Sequence, residues 1–380
     1  MSSFQNLLGS PQSPFVMQTS LGGNGLRVAV KDNIDIKGLN TTAGSRVYLT
    51  EPPALESATI VQRLLATNFQ IVGKTKLHEL AFGITGINDA FGTPVNPRFP
   101  KLIPGGSSSG SAAAVAASLA DVAIGTDTGG SIRIPAACCG VFGLKPTFGR
   151  IPRDGVSPAR SSLDCVGVFA QSVAQLEATM EALDPHYKRK DSRDYKLGLV
   201  TPHGNPEISD AIIAAVRATG LPICRVMLAH FDSAFSAGLT MIEYETANAF
   251  RDLLDSSLIG DDVLTRLRKA ARITAEDVRI AEVIRKQFRE ELERAFETVD
   301  VLVLPTIADF PPALTEARAD RSAVSLTKNV RPFNLSGNPA IAVPLPSINE
   351  RPVSLQIVGP MGKDDVVCAV ARQFEACFSR

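Results

Sequence analysis

PGGSSSGSAAAVAASLADVAIGTDTGGSIRIPAACCGVFGLKPTFGR, residues 104–150, is the stretch on which the fold turns. Two turns rich in Gly and Ser, Gly105-Gly106-Ser107-Ser108 and Gly129-Gly130-Ser131, bracket a run of small residues. That run, Ser111 to Ala120, predicts a buried helix whose neighbours can approach its backbone closely. Val122 to Gly125 predicts a short buried strand. A glycine pair before a serine lets the chain turn sharply and expose successive N–H groups. The segment can therefore bring two hydroxyls and several free donors together.

Working outward, Leu26 to Ile36 reads as a strand with one lysine, Lys31, inside an apolar run. Ile60, Val61, Leu64 and Leu65 are spaced for a helix over Glu56 to Thr67, and Phe69 to Gly73 predicts the next strand. Strand, helix and strand in this order predict parallel connections in an α/β sheet. Beyond Ala170, strands are predicted over Lys196 to Thr201, Ile223 to Leu228, Val299 to Leu304 and Val353 to Val358, with a turn region over Pro344 to Pro352. Helices are predicted near Ile208 to Ala218, over Thr274 to Glu297 with Thr274 as its cap, and over Asp364 to Phe378. Residues 1–25 are polar and read as a flexible N-terminal arm. Residues 26–380 read as one domain: a core motif region 26–175, a variable region 180–330 and a return to the core over 331–380. The softest boundary is the charged stretch 184–196.

Composition narrows the classes. Hydrophobic residues make up 44% and charged residues 21%, which suits a large buried core and excludes a disordered chain. Lys plus Arg and Asp plus Glu both total 39, so net charge offers no pull toward nucleic acid or an acidic membrane. No apolar run is long enough for a membrane span, and no signal peptide is legible at the N-terminus. The cysteines form no CxxC pair and read as reduced thiols of a cytoplasmic protein. The four histidines, His78, His186, His203 and His230, are scattered, so neither a metal site nor another cofactor is expected.

A serine nucleophile needs a base for its proton and donors for the oxyanion it creates. With no histidine in place, Lys31 is the candidate base. At an unperturbed pKa of about 10.4 only about one lysine in a thousand is neutral near neutral pH. Burial disfavours the ammonium and lowers that pKa, so a buried Lys31 beside a serine gains basicity at neutral pH. Ser107, lying between, can relay a proton from Ser131 to Lys31.

The chain resembles the amidase signature family. The likeness runs through VAVKDNIDIKG (28–38), GKTKLHELAFG (73–83), PGGSSSGSAAAVAAS (104–118), GTDTGGSIRIPAACCGVFGLKPTFGR (125–150) and SLDCVGVFAQSV (162–173). Weaker echoes lie at FNLSGNPAIAVP (333–344) and VSLQIVG (353–359). The resemblance implies one α/β domain with a large mixed β-sheet covered by helices on both faces. It implies a triad of Ser131 as nucleophile, Ser107 as bridging serine after a cis Gly106–Ser107 bond, and Lys31 as base. The oxyanion hole would be the N–H groups of Thr128, Gly129, Gly130 and Ser131. Ser108, Asp127 and Arg133 match positions that brace these loops. The implied activity is cleavage of a linear carboxamide to acid and ammonia or amine through a Ser131 acyl-enzyme.

The expected partner is a small-molecule amide, with a homodimer as the family-weighted state and neither nucleic acid nor membrane involved. Two alternatives stand beside this: an amidotransferase-type subunit working with partner proteins, which the short chain disfavours, and a catalytically silent binding protein. Pocket walls are expected from 80–100, 150–160 and the later loops. Ile134 offers no charge there, and Arg153, Arg160 and Arg331 are the candidate anion contacts, surface exposure being the commoner reading of each. Gly106-Ser107-Ser108-Ser109-Gly110 also fits the G-x-S-x-G elbow with Ser108 as nucleophile, but no histidine follows His230. Gly73-Lys74-Thr75 lacks the upstream glycine of a P-loop.

Overall fold

The computed structural model describes residues 10–191, 193–201, 204–320 and 324–378, so His203 lies outside the described residues. Among these residues eleven strands form one sheet: β1 Phe15–Gly22, β2 Arg27–Lys31, β3 Gln70–Thr75, β4 Val122–Asp127, β5 Phe142–Lys145, β6 Cys165–Ala170, β7 Leu197–Leu199, β8 Ile223–Arg225, β9 Val301–Pro305, β10 Ala340–Ile348 and β11 Arg351–Val358. Their spatial order is β1-β3-β2-β4-β6-β5-β10-β11-β9-β7-β8. The β2–β3 and β2–β4 pairs are parallel, as the strand–helix–strand order predicts, and β7 runs parallel to β8 and β9. The remaining pairs are antiparallel, so the sheet is mixed.

Alternation along the strands sorts side chains to two faces. On β2, Val28 and Val30 join the core beneath the Thr59–Ala66, Val173–Leu183 and Asp364–Phe378 helices. Ala29 joins the opposite core with Ala112 and Ala114 of the Ser109–Ala116 helix. Lys31, two residues past Ala29, is thereby directed to the side where the Gly/Ser turns lie. Gly125 on β4 has to be glycine: a Cβ there would sit 2.8 Å from Ser108 Oγ and 2.8 Å from the Phe169 ring. Helices thus cover both faces, as expected.

Three elements depart from the sequence reading. Part of the stretch read as a flexible arm is the edge strand β1, with Phe15 and Val16 buried. Thr19 Oγ1 donates to Ile71 O (2.9 Å), and Lys76 Nζ donates to Ser10 O (2.9 Å) and Pro11 O (3.0 Å), fastening this segment. Its outer residues are polar because an edge strand keeps much of its surface wet. The predicted turn over Pro344 to Pro352 is instead a hairpin, with only Asn349 and Glu350 at positive φ (49° and 57°) between β10 and β11. Prolines are tolerated in β10 because β5 pairs only with Ala340 to Ala342, leaving that side of the strand unladdered from Pro344 onward. The strand over Leu26 to Ile36 stops at Lys31, where the chain turns.

The variable region builds a second helical layer. The helices Phe231–Ala249, Ala275–Phe296 and Arg331–Ser336 meet at Phe231, Phe288 and Phe333, whose ring centroids lie 6.0–6.4 Å apart. Thr274 caps the second of these as predicted. Its Oγ1 accepts from Asp277 N (3.2 Å), while Asp277 Oδ2 accepts from Thr274 N (2.8 Å). Thr274→Ala is expected to cost about 1 kcal/mol in a denaturant titration, the usual size of a lost N-cap.

Candidate active site

Lys31, at the end of β2, is fully buried. Its Nζ donates to Ser107 Oγ at 2.9 Å and to Thr126 Oγ1 at 2.7 Å. Among the described residues it forms no ion pair, unlike Lys74, whose Nζ lies 2.7 Å from Asp32. Burial pulls the Lys31 amine down to about 7, against the charges of Asp164 and Asp127, which favour the ammonium. A lysine held by hydroxyls alone is able to exist neutral near neutral pH.

Ser107 is also fully buried and follows a cis Gly106–Ser107 peptide. Its carbonyl accepts from His78 N at 3.0 Å, which ties the first Gly/Ser turn to the segment after β3. Ser131 borders a cleft and is 6% exposed. The two turns are joined by Ser108 N donating to Ser131 O at 3.3 Å. Ser131 Oγ makes no hydrogen bond among the described residues, so the expected Ser107–Ser131 contact is not closed here. Ser108 Oγ is buried, donates to Thr126 O (3.2 Å) and accepts from Thr126 N (3.4 Å). That engagement speaks against Ser108 as an elbow nucleophile. Gly73-Lys74-Thr75 lies within β3, where no phosphate loop forms.

The second turn is braced from below. Asp127 Oδ1 accepts from Gly130 N (2.7 Å), and Oδ2 accepts from Ile132 N (3.2 Å). Arg133 donates to both Asp127 oxygens at 3.0 Å, and also to Val330 O, Gln356 Oε1 and Asn334 Oδ1. Burial opposes the Asp127 charge, but the guanidinium of Arg133 and the amide of Asn334 outweigh it and hold the carboxyl well below the usual range. Gly130 has φ +114°, a conformation other residues rarely adopt.

The geometry also alters the donor set. The Gly130 N–H is spent on Asp127, whereas those of Thr128, Gly129 and Ser131 find no acceptor among the described residues. Thr128 Oγ1 donates to Asp164 Oδ1 (2.8 Å), fixing the far side of the turn.

The cleft has a volume of about 630 Å³. Its walls are Ala81 to Ile84, the turn at Thr128, Gly129 and Ser131, the Phe231–Ala249 helix at Leu239, Ile242 and Glu243, and the Asp261–Ala270 helix at Thr265, Arg266 and Lys269. Thr327 and Arg331 complete it. Residues 150–160, expected as a wall, border other surface grooves instead. Of the three candidate arginines, Arg160 is exposed, Arg153 is paired with Asp164 (2.8 Å), and Arg331 is buried within the cleft. Sequence reasoning missed Thr126, Asp164 and the two helical walls. The small and apolar residues Phe231, Ala234, Ala237, Gly238 and Met241 recur at helical spacing and were a legible signal for the first wall.

Residues 23–368 match the family described as Amidase. This chain belongs to the amidase family. It is 33% identical over 400 residues to the A-type subunit of glutamyl-tRNA(Gln) amidotransferase from Methanospirillum hungatei, covering 93% of this chain and 92% of that one. The crystal structure of the corresponding Thermotoga maritima protein superposes with a TM-score of 0.83 at 26% identity, covering 98% of this chain and 89% of that one. A crystal structure of an amidase superposes with a TM-score of 0.85 at 30% identity, covering 99% and 88%.

These likenesses correct two expectations about this amidase-family chain. Its length does not set it apart from amidotransferase subunits, since it spans 92% of one. The expectation of a lone chain acting on a small amide, possibly as a homodimer, also fails, because its relatives are named as subunits of a glutamyl-tRNA(Gln) amidotransferase. The physical reason is where information sits. The motifs over 104–150 encode a buried chemical centre, while a partner surface leaves no comparable motif, and zero net charge averages over patches of either sign. Among the described residues no helix is long and apolar enough to cross a membrane.

Proposed function

We propose that this chain cleaves a carboxamide through a Ser131 acyl-enzyme and does so as the amide-cleaving component of an amidotransferase-type assembly. The observation that carries the chemistry is the buried Lys31 amine, lowered to about 7, 2.9 Å from Ser107 and 2.7 Å from Thr126, which leads into the turn that bears Ser131. The role within an assembly is favoured by the relatives' names and by their nearly matching length.

The relay requires the Ser131 hydroxyl to reach Ser107, a contact of the kind that often tightens only with substrate bound. Neutral Lys31 then accepts the Ser107 proton while Ser107 accepts that of Ser131. The Ser131 Oγ–carbon bond forms, and the free N–H groups of Thr128, Gly129 and Ser131 receive the oxyanion. The carbon–nitrogen bond breaks as the leaving nitrogen takes a proton back through Ser107 from Lys31. Water, deprotonated along the same path, attacks the acyl carbon and releases the acid and Ser131. Asp127 and Arg133 hold the donor turn, and Ser108 holds the first turn against Thr126. The buried, unbridged thiols Cys138, Cys139, Cys165 and Cys368 suit a reducing, cytoplasmic setting.

Two measurements test this. Incubation with an amide and hydroxylamine should yield the hydroxamate, with the acyl mass found on the Ser131 peptide. A serine left unmodified while ammonia is released would sink the acyl-enzyme. Affinity purification of the tagged chain from its own source should recover amide-dependent ammonia release in a multi-protein fraction. Equal turnover by the isolated chain would favour a free-standing hydrolase. The pH dependence follows in sign from Lys31: the reactive form is neutral, and the pKa is lowered to about 7. Rate at subsaturating amide should therefore be full above that value and fall about tenfold per pH unit below it. A profile flat from pH 5 to 8 would remove Lys31 from the role of base.

A further inference from the structure

Among the described residues four lysines are fully buried, and Lys31 is held unlike the other three. Lys74 Nζ lies 2.7 Å from the Asp32 carboxylate, Lys76 Nζ donates to the carbonyls of Ser10 and Pro11, and Lys145 Nζ donates to the Pro146 carbonyl and the Cys165 thiol. Lys31 Nζ meets two hydroxyls, Ser107 Oγ at 2.9 Å and Thr126 Oγ1 at 2.7 Å. The carboxylates whose charge acts on it, Asp164 and Asp127, are paired with Arg153 and Arg133. A carboxylate in contact with a buried amine locks it as ammonium, whereas a neutral hydroxyl takes the same N–H without fixing the charge.

The two hydroxyls have different tasks in the relay. Ser107 gives its proton to Lys31 and receives that of Ser131, so its oxygen changes its bonds. Thr126 exchanges nothing and is the acceptor that stays in place as the amine becomes ammonium. A hydrogen bond from an N–H strengthens as charge develops on the nitrogen, so this bond tightens as the proton moves, and only such differential gains lower a barrier. The Thr126 hydroxyl is itself steadied. Asn33 is 1% exposed, and its Nδ2 donates to Ser157 O at 2.7 Å and to Thr126 Oγ1 at 3.4 Å. Ser157 N donates back to Asn33 O at 2.9 Å, and a flipped amide would set its oxygen against the Ser157 carbonyl, so the amide has one orientation. Asn33 Oδ1 is buried with no partner among the described residues. An acceptor left dry is costly, which marks Asn33 as kept for what its nitrogen does.

We propose that Thr126, steadied by Asn33, is a positioning residue for the base: its oxygen receives a Lys31 N–H and keeps the nitrogen on Ser107 while charge develops there. The proposal rests on the reading of Lys31 as the base in amide cleavage, and adds a hydroxyl that acts only through Lys31.

The test needs no knowledge of the substrate. The full chain is treated with an alkyl fluorophosphonate from pH 5 to 9, and the rate of labelling at Ser131 is followed by intact mass. The Ser131 Oγ–phosphorus bond forms, the phosphorus–fluorine bond breaks, fluoride leaves, and the serine proton passes through Ser107 to Lys31. Thr126→Val should lower the plateau rate on the order of 10- to 100-fold, the scale of one hydrogen bond to a charged group. Thr126 favours the ammonium, so its loss lowers the Lys31 amine further, and the acid limb of the profile should move about one pH unit down. Thr126→Ser should restore both rate and limb. Asn33→Leu should act in the same direction but less, and should add nothing in the Thr126→Val background. If Thr126→Val does not fold, Thr126→Cys set against Thr126→Ser makes the same comparison, a thiol being a weak acceptor. An unchanged rate and limb in Thr126→Val overturn the proposal. A loss of rate with the limb in place, a loss that serine does not rescue, or an Asn33→Leu effect that persists without Thr126 overturns it too, since packing would then be the cause. Lys31→Met separates the two readings: wild-type labelling in that variant fells the base itself, whereas lost labelling there beside an unaltered Thr126→Val fells only the positioning role.

Discussion

Alanine at position 131 is expected to lower amide turnover on the order of 10⁴-fold or more while the melting temperature stays within a few degrees of the wild type. The size follows from covalent chemistry: without Oγ there is no acyl-enzyme, and the Lys31–Ser107 pair has nothing to deprotonate. The mildness toward the fold follows from the contacts. Ser131 Oγ has no hydrogen-bonding partner among the described residues, and the residue's structural link is its carbonyl, which accepts from Ser108 N and is kept in alanine. Ammonia release and a thermal melt on the same preparation check both halves. Activity within tenfold of wild type would remove Ser131 from the reaction.

The second large effect concerns the brace beneath that turn. Arg133→Ala is expected to destabilise the chain by about 3–5 kcal/mol, the range for breaking a buried ion pair from one side. The loss would leave Asp127 fully buried with its guanidinium gone, and would free Asn334, Gln356 and the Val330 carbonyl at once. Asp127 binds the N–H groups of Gly130 and Ile132, so the donor turn should loosen and activity should fall even in the surviving folded fraction. Urea titration reads the stability, and activity per folded molecule reads the turn. A loss below about 1 kcal/mol would mean that the network relaxes around the gap, with water taking the vacated place.

Much of the centre was legible because it is local in sequence. Two Gly-Gly-Ser turns flanking a short small-residue helix are close enough in sequence to meet, and Ser108 N donating to Ser131 O joins them. The alternation on β2 directs Lys31 to the face that already takes Ala29. What escaped the sequence depends on distant partners. Thr126 stood in the 125–150 motif without a role of its own, yet its hydroxyl is the shorter of the two contacts to Lys31. The Gly130 N–H looked as free as its neighbours until Asp127 was seen to occupy it. Prolines in β10 masked a strand because nothing in the local residues reveals that β5 ends at its third pair.

The motifs over 28–38 and 104–150 carried the resemblance to the family, and that resemblance, more than local spacing, implied the mixed sheet and the three residues on which the proposed chemistry rests; residue type and short-range spacing gave the α/β class and parallel connections. Tertiary structure alone decided which charges are satisfied. Arg133 and Arg331 look alike in sequence, but one meets Asp127, Asn334 and Gln356, while the other meets a phenylalanine face and an open cleft. Whether a buried cation is a brace depends on acceptors contributed by strands and helices some two hundred residues away, and no local pattern encodes that.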